Sequence, residues 1–383
     1  MMRSWPGLLL LTGGAAWLWQ AQGGRMAALW LVGAALGLTL FQSSFSFAGA
    51  FRRLLAERRG AGLRAQLVLL GLACCLSLPV IEAGALFGQP VRGFVFPVGW
   101  GLLLGAFLFG IGMQLGGGCA SGTLTTAAGG QGARMWVTLA TFIAGATFAA
   151  YDAERWMEWP ALAPISLLQA FGAWPALVIS LGMLGLAWAA ALWVERRRHG
   201  LAEPLAWRGA GLFRFPWPPL WGAVGLAALG FATLLLAGRP WAITAAFPLW
   251  GSRAIAALGW DEPAFWPYWE DPTRTEALLR PLLADRMTVM DLGLMAGAFL
   301  AAGLAGRRGA WGWPRPRPAL ASLLGGLLLG YGAVLAFGCN ISAFLGGILS
   351  GSLHGWVWII PALIGNAVGI TLRPAFHLEI ARH

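Results

Sequence analysis

The composition of this chain excludes an ordinary soluble globular protein, because 58% of its 383 residues are hydrophobic and only 11% are charged, against about 25% charged in soluble domains. All 26 basic residues are arginine, and they give a net charge of +11. Because these arginines cluster between apolar stretches, as in the cytoplasmic loops of membrane proteins, the charge argues against nucleic-acid binding. The sequence therefore predicts an all-α integral membrane protein in the lipid bilayer.

Apolar stretches follow one another along the chain. The first, residues 7–19, resembles the core of a signal peptide, but no strong small-residue cleavage site follows, so we expect a retained first helix or half-helix. Several later stretches are near or below the roughly 20 residues that a bilayer requires, which is typical of broken helices that line a central site. The later predicted spans are residues 26–40, 67–87, 95–115, 135–151, 170–193, 220–236, 241–258, 287–304, 319–337 and 356–372.

Two stretches of the sequence match each other without a gap at a constant offset of 220 residues (339 − 119, 356 − 136 and 365 − 145). The first contains Gly-Gly-Gly-Cys-Ala-Ser-Gly at residues 116–122, and the second contains Phe-Gly-Cys-Asn-Ile-Ser at residues 337–342. Such self-similarity indicates an internal repeat. Cys119 and Cys339 occupy equivalent positions in it.

The arginine runs predict that the two repeats have opposite orientations in the membrane. One run, residues 52–64, precedes the span at 67–87, and another, residues 307–317, follows the span at 287–304. With arginine-rich loops on the cytoplasmic side, the span before Cys119 runs inward and the span before Cys339 runs outward. We therefore predict an inverted repeat, with residues 1–195 as the first membrane repeat, residues 196–219 as a cytoplasmic connection and residues 220–383 as the second repeat.

Glycine-rich breaks around both cysteines predict non-helical backbone inside the membrane, which survives only within the protein or along a water-filled path. Free N–H groups and helix N-termini form an anion cradle there. A thiol is a soft, weak donor that suits an anion with terminal sulfur or selenium. One cysteine is explained as well by close helix packing, but two at equivalent positions favour function. The candidate substrate-binding residues in these breaks are Cys119, Cys339, Gly118, Ser121, Gly338, Asn340 and Ser342, with further neutral donors at Thr123, Thr125, Thr126 and Ser350.

The other two cysteines have a simpler interpretation. Cys74 and Cys75 are neighbours in an apolar span and are expected to be ordinary buried thiols. No cysteine or histidine spacing predicts a zinc site, and we expect neither a metal nor a cofactor.

Four more polar residues each have two interpretations. Arg134 and His354 occupy equivalent repeat positions, where either snorkelling at a helix end or substrate contact is consistent with the sequence. Glu82 and Asp291 lie within or near apolar spans. Each predicts either proton coupling, the usual reason for an acid inside a membrane, or capping and ion pairing at the end of a span.

The two cysteine motifs, together with Gly-Arg-Pro-Trp-Ala-Ile-Thr at residues 238–244, resemble the YeeE/YedE family from about Phe41 to Gly369. Its members are bacterial inner-membrane transporters for thiosulfate, with relatives linked to selenium metabolism. The resemblance implies an hourglass-shaped bundle of transmembrane and re-entrant helices, whose cysteine thiols relay the substrate by S–H···S hydrogen bonds. Cys119 and Cys339 match two of three relay cysteines. The resemblance also implies a small cytoplasmic sulfur-carrier protein as a partner.

The third relay cysteine has no counterpart in this chain, because Ser46 stands at its position in Ser-Phe-Ser-Phe-Ala-Gly at residues 44–49. By this resemblance Ser46 joins the candidate substrate-binding residues, as a harder donor for a substrate oxygen. We therefore predict an inner-membrane permease, not an enzyme, that imports thiosulfate or a similar sulfur anion through a path gated by thiols. The alternatives are a transporter of a selenium compound, a membrane sulfurtransferase or thiol redox enzyme with Cys119 or Cys339 as nucleophile, and a passive channel.

Overall fold

The computed structural model describes residues 5–86, 88–130, 132–207, 211, 216–306 and 312–378. Within these residues the protein is helical, apart from a two-stranded antiparallel hairpin of β1 (Ala85–Leu86) and β2 (Gln89–Pro90). The predicted all-helical fold is confirmed.

The first half of the chain forms ten α-helices and one π-helical turn. They are α1 (Trp5–Gln22), α2 (Gly24–Gln42), α3 (Phe47–Arg52), the π-helical turn Arg53–Glu57, α4 (Ala61–Ala83), α5 (Trp100–Gly116), α6 (Ala120–Ala128), α7 (Ala133–Tyr151), α8 (Ala153–Met157), α9 (Leu167–Phe171) and α10 (Ala173–His199).

The second half contains seven α-helices, several 3₁₀ turns and one π-helix. They are α11 (Pro219–Ala237), the 3₁₀ turn Ile243–Ala245, α12 (Ala246–Leu258), the 3₁₀ turns Pro263–Phe265 and Pro267–Trp269, α13 (Pro272–Leu279), the 3₁₀ turn Leu282–Ala284, α14 (Arg286–Leu304), α15 (Pro316–Leu335), the π-helix Asn340–Leu345, α16 (Gly346–Ile348), α17 (Leu353–Leu372) and the 3₁₀ turn Arg373–Phe376.

Nine helical segments of the described residues are long and apolar enough to cross a membrane, which confirms the predicted multi-pass membrane protein. The predicted first helix is present as α1, which is not one of the nine. The nine segments are Gly24–Glu57, Ala61–Ala83, Trp100–Ala128, Ala133–Tyr151, Ala173–His199, Pro219–Ala237, Arg286–Leu304, Pro316–Ile348 and Leu353–Phe376.

Several helix boundaries differ from the prediction, and two of the differences have a clear physical cause. The helix α4 begins at Ala61 and not at residue 67, because Arg64 is buried inside it and paired with Glu195 of α10 at 2.8 Å. The sequence pattern therefore assigns Arg64 to the arginine-rich loop, although it is a buried residue of α4. The helix α5 begins at Trp100 and not at residue 95, since Pro97 disfavours helix in the residue before it and residues 91–98 have no regular structure. Phe87, the predicted end of the second span, lies outside the described residues.

The beginning of the predicted connection between the halves packs against the first arginine run. Glu203 accepts hydrogen bonds from Arg53 at 2.8 Å and from Arg59 at 2.5 Å, and its backbone oxygen accepts one from Arg64. Residues 208–210 and 212–215 of the connection, and residues 307–311 of the later arginine run, lie outside the described residues. The parts described place residues 53–64 and the end of α10 at the same end of the bundle.

Glycines let several helices approach backbone to backbone. A Cβ atom at Gly37 of α2 would lie 2.0 Å from a backbone oxygen of α14, and one at Gly297 of α14 would lie 1.9 Å from a backbone oxygen of α2. Likewise, a Cβ atom at Gly110 of α5 would lie 2.2 Å from an oxygen of α17, and one at Gly365 of α17 would lie 2.0 Å from an oxygen of α5. Such close approach is the membrane-protein use of small residues. It holds the long helices at fixed separations.

Helix contacts recur in pairs across the two halves. The helix α5 packs along α17 and α15, α7 packs along α15, α2 packs along α14, and α4 packs along α11. At the offset of 220 residues, α7 corresponds to α17 and α6 corresponds to residues 340–348. By the same offset α5 corresponds to α15. The contact of α5 with α17 is therefore equivalent in the repeat to the contact of α15 with α7.

Candidate functional site: two cysteines at helix N-termini

Cys119 lies in the break between α5 and α6. The helix α5 ends at Gly116, and Gly117 adopts φ 91°, a left-handed conformation that favours glycine. Cys119 then has extended backbone (φ −86°, ψ −171°) and is the N-cap residue of α6. Its side chain is 2% exposed, and its Sγ lies 3.4 Å from the Oγ of Ser121. The sequence-predicted break is therefore present, with Gly118 and Ser121 on either side of the thiol.

Cys339 has almost the same backbone conformation (φ −98°, ψ −167°) and is the N-cap residue of the π-helix Asn340–Leu345. The break before it contains two positive φ angles, 58° at Phe337 and 139° at Gly338. A Cβ atom at Gly338 would lie 2.2 Å from the Oγ of Ser342, so only glycine fits there. The two cysteines thus end equivalent breaks and begin equivalent short helices.

Hydrogen bonds hold the Cys339 thiol in place. The Oγ of Ser342 accepts a hydrogen bond from the Cys339 backbone N–H at 3.0 Å and donates one to the thiol sulfur at 3.6 Å. The backbone N–H of Ile341 also donates to the sulfur, at 3.4 Å. Because the thiol is fully buried, these neutral donors fix its direction without adding a charge. Among the described residues, the partners of the two thiols are hydroxyl and amide groups, which do not act as bases at neutral pH.

The 3₁₀ turn Ile243–Ala245 connects the two cysteine sites. It contacts both α6 and the π-helix Asn340–Leu345, and the Oγ1 of Thr244 lies 3.0 Å from the Oγ of Ser342. The structure therefore brings the two predicted cysteines together in one region of the core.

Several buried polar atoms around the cysteines have no hydrogen-bond partner among the described residues. They are both amide atoms of Asn340, which is fully buried, and the hydroxyls of Thr123 and Thr125. An unsatisfied buried polar group costs about 1–3 kcal/mol, so each one requires an explanation. Ser350 differs, because its hydroxyl donates to Gly346 and accepts from the Phe94 N–H. Asn340 and the threonines are therefore better candidates for substrate contact than Ser350.

Two adjoining cavities, of ≈ 180 Å³ and ≈ 600 Å³, lead from the surface to the Cys339 motif. We call them together the vestibule. Its deepest part reaches Phe337, Gly338 and Ser342, and the Phe337 ring stacks on Phe96 with 4.8 Å between centroids. The charged residues of its walls are mostly basic: Arg25, Arg92, Arg239, Arg274, Arg280 and Arg286 against Glu276 and Asp285. The vestibule therefore favours anions.

Arg239 lines both cavities of the vestibule, and its Nε has no hydrogen-bond partner among the described residues. Burial lowers the pKa of its guanidinium from the usual value, and nearby Asp285 partly offsets that effect. The sequence analysis missed this residue. Its signal was the motif Gly-Arg-Pro-Trp-Ala-Ile-Thr, which places Arg239 five residues before Thr244.

Ser46 lies apart from these contacts. It is the N-cap residue of α3, its Oγ accepts the backbone N–H of Gly49 at 3.0 Å, and its side chain is exposed. The adjacent Phe47 lines a small cavity that also includes Trp241 and Ile341, next to the Cys339 site. A role for Ser46 in substrate binding stays a prediction.

The expectation that both remaining cysteines are buried is wrong for Cys75. Cys74 is buried, but Cys75 is exposed on the outer face of α4, because successive helix residues point about 100° apart. The Cys74 thiol donates a long hydrogen bond (3.9 Å) to the backbone oxygen of Ile348, at the end of the Cys339 half-helix. No group of three or more His, Cys, Asp or Glu side chains in the described chain could hold a metal ion.

Arg134 and His354 each form hydrogen bonds near the cysteine motifs. Arg134 donates to the backbone oxygen of Leu115 and to the Oγ of Ser322, at the C-terminal end of α5. Cations are favourable at that end of a helix. His354 is fully buried, and its Nδ1 lies 2.7 Å from the Oγ of Ser352. Arg134 therefore holds the end of α5 before the Cys119 break, whereas the His354 ring is held by Ser352 and the Phe96 N–H.

Comparison with known proteins agrees with the motifs. A family model described as "Sulphur transport" matches residues 42–368. The chain is 27% identical over 350 residues to "Thiosulfate transporter TsuA" of Spirochaeta thermophila, covering 88% of this chain and 95% of that protein. It is 26% identical over 362 residues to "Thiosulfate transporter TsuA" of Escherichia coli, covering 88% and 91%. It is 31% identical over 178 residues to "Probable transporter YedE" of Escherichia coli, covering 45% and 42%.

Proposed function

Because this chain belongs to the sulphur transport (YeeE/YedE) family of membrane transporters, we propose that it is a permease that imports thiosulfate or a similar sulfur anion through a path gated by Cys119 and Cys339. Two relatives that align over 88% of the chain are named thiosulfate transporters. Their names supply the substrate, and the chemistry of the cysteine sites supports it.

The observation that carries the proposal is the pair of buried thiols at equivalent helix N-termini, joined by the turn Ile243–Ala245. The partial positive charge of a helix N-terminus favours an anion. Thiosulfate is an anion with one soft, terminal sulfur. A neutral thiol donates weakly to that sulfur, without the repulsion of a thiolate, and the unpaired amide of Asn340 is available for its oxygens.

In the proposed path the vestibule concentrates the anion first, with Arg239 and Arg274 lining the cavity that reaches the Cys339 motif. The anion then reaches the Cys339 thiol beneath Phe337 and Gly338, which line the deepest part of the vestibule. From there it passes to the Cys119 thiol, because the turn Ile243–Ala245 contacts both cysteine sites. Each step exchanges one hydrogen-bonded partner for another and forms no covalent bond. Ser46 is proposed to hold a substrate oxygen after Cys119, near the arginine run that follows α3.

The inverted repeat and the predicted sides of the membrane are part of this proposal. The helix α2 runs from Arg25, in the vestibule, to Gln42, close to α3 and the run Arg52–Arg64. The vestibule and that arginine run therefore lie at opposite ends of α2. If the arginine run is cytoplasmic, the vestibule opens to the periplasm and the Cys339 motif is reached from outside, as the charge pattern predicts.

The rival enzyme function needs a base beside a thiol nucleophile. The described partners of the two thiols are Ser121, Ser342 and the backbone N–H of Ile341, which favours hydrogen bonding over proton abstraction. Ser46 puts a hard hydroxyl where the resemblance implies a soft thiol. A selenium anion therefore stays an alternative substrate.

The test is uptake of ³⁵S-labelled thiosulfate, and growth on thiosulfate, in a bacterial strain that lacks its own thiosulfate permeases. We expect Cys119→Ala and Cys339→Ala each to abolish uptake, since either change removes one partner of the relay. Cys75→Ala is the matched control, because Cys75 is exposed on α4 and away from both sites; it should transport normally. Normal uptake by a well-expressed Cys339→Ala protein would refute the thiol path.

A further inference from the structure

Asp291 is an acid buried in the second turn of α14. It is 0% exposed, and neither of its carboxyl oxygens has a hydrogen-bond partner among the described residues. Glu195, an equally buried acid, differs because it pairs with Arg64 at 2.8 Å. An unpaired ionised carboxylate is very costly in an apolar interior. Burial without a partner therefore favours the neutral, protonated form of the Asp291 carboxyl.

The face of α14 that contains Asp291 packs against the segment that touches the Cys339 site. Met287, one helical turn before Asp291, accepts a hydrogen bond from the Ala242 backbone N–H at 3.3 Å. The indole of Trp241 lies beside the carboxyl, although its N–H does not complete a hydrogen bond. Two residues after Ala242, Thr244 contacts Ser342, which in turn bonds Cys339. The acid and the thiol are thus joined through one short segment, residues 241–244.

Charged groups are sparse on the elements that pack against α14. Those elements are α1, α2, α6, α12, Ile243–Ala245 and Leu282–Ala284, and they contribute only Arg25 and Arg253. Arg25 donates to the backbone of α11 and Arg253 to the backbone of Arg280. Next along α14 towards the vestibule are Arg286, which donates to Ala237, and Asp285, which is within electrostatic range of Asp291. No described cation pairs with either Asp291 oxygen, and Asp285, the residue before α14, lines the vestibule.

We propose that Asp291 is the proton-carrying site of a thiosulfate–proton symport, coupled to Cys339 through residues 241–244. This inference rests on the proposed function and adds the ion to which transport is coupled. In each cycle the Asp291 carboxylate takes one proton from the vestibule, thiosulfate passes the thiols, and the carboxyl releases that proton to the cytoplasm. The net movement is one thiosulfate dianion and one proton inward, which carries one negative charge. No bond other than the O–H of the carboxyl forms or breaks.

Purified protein in liposomes tests the coupling directly. With equal potassium and valinomycin on both sides, the membrane potential is zero. Each pH unit is a factor of ten in proton activity. One proton per thiosulfate therefore supports about tenfold accumulation of thiosulfate per unit of inward pH gradient. We expect wild-type protein to accumulate ³⁵S-thiosulfate to that level and to acidify the lumen, as reported by trapped pyranine, when thiosulfate is added.

The isosteric variant Asp291→Asn removes the titrating group and keeps the shape. We expect it to exchange internal for external thiosulfate at a rate near wild type, and to lose both the accumulation driven by the pH gradient and the lumen acidification. Glu82→Gln is the matched control, because Glu82 is exposed and accepts the Ala173 N–H at the start of α10. It should keep both signals.

The outcomes separate this inference from the proposed function. If wild-type protein moves no thiosulfate in either assay, the proposed function fails. If wild-type protein exchanges thiosulfate but does not acidify the lumen, or if Asp291→Asn accumulates thiosulfate like wild type, only the symport fails. Where Asp291→Asn does not fold, the lumen measurement on wild-type protein still decides whether a proton moves with thiosulfate, and a wild type that does not acidify the lumen refutes the symport.

Discussion

The hydroxyl of Ser342 is the contact whose removal most directly tests how the Cys339 thiol is held. It accepts the Cys339 backbone N–H at 3.0 Å, donates to the thiol at 3.6 Å and lies 3.0 Å from the Thr244 hydroxyl. Ser342→Ala leaves a buried N–H without its partner, at a cost of about 1–3 kcal/mol. Ser121→Ala, the corresponding change beside Cys119, removes only one contact to a thiol, at 3.4 Å, and should cost about 0.5–1 kcal/mol.

The assay is thermal unfolding of detergent-solubilised protein, followed by the fluorescence of its 23 tryptophans. A loss of about 1 kcal/mol lowers Tm by roughly 2–4 °C in domains of 150–250 residues. We expect Ser342→Ala to lower Tm by a few degrees more than Ser121→Ala, and to slow thiosulfate uptake more strongly. An equal or larger loss of Tm in Ser121→Ala would show that the hydrogen bonds of Ser342 do not hold the Cys339 site.

Two further predictions concern the proposed path. Ser46→Ala should slow uptake, with a stability cost of about 1 kcal/mol for the lost N-cap. Ser46→Cys should preserve or improve thiosulfate uptake. Identical uptake rates, and identical competition by sulfite, sulfate and selenium anions, in the wild type and both variants would show that Ser46 takes no part in substrate selection. In sealed, oriented vesicles, a thiol reagent added outside should modify Cys339 faster than Cys119, and thiosulfate should protect both cysteines from the reagent. Modification of both cysteines from the same face would contradict the inverted repeat.

The breaks at the cysteines could be predicted from the sequence because the glycines before each of them are local signals. Three glycines precede Cys119, and Gly338 precedes Cys339; glycine adopts left-handed backbone at no steric cost. The structure places such angles at Gly117 and Gly338. Helix type and approximate position also followed from hydropathy, since every long apolar stretch after residue 26 lies in a helix over most of its length.

The vestibule could not be predicted, since its walls come from distant parts of the chain. Phe96, Arg239, Arg274 and Phe337 meet there, and no local pattern of one segment specifies the others. The same limit applies to Asp291. Its sequence neighbours are apolar like those of any membrane helix, and only the packing of α14 against α2 and residues 241–245 leaves the carboxyl without a partner. The buried arginine of the Arg64–Glu195 pair misled the prediction of α4 for the same reason.

The interlocked glycines have a consequence for genetics. At Gly37, Gly110, Gly297 and Gly365 a single added methyl group would fall about 2 Å from a backbone oxygen of the neighbouring helix, closer than any real Cβ contact. Backbone cannot rotate away as a side chain does, so even alanine forces two helices apart. A random screen for inactive alleles would therefore identify substitutions at these glycines as well as at the cysteines. Loss of transport alone would not distinguish a residue that touches the anion from one that sets the distance between two helices; protein abundance in the membrane has to be measured with it.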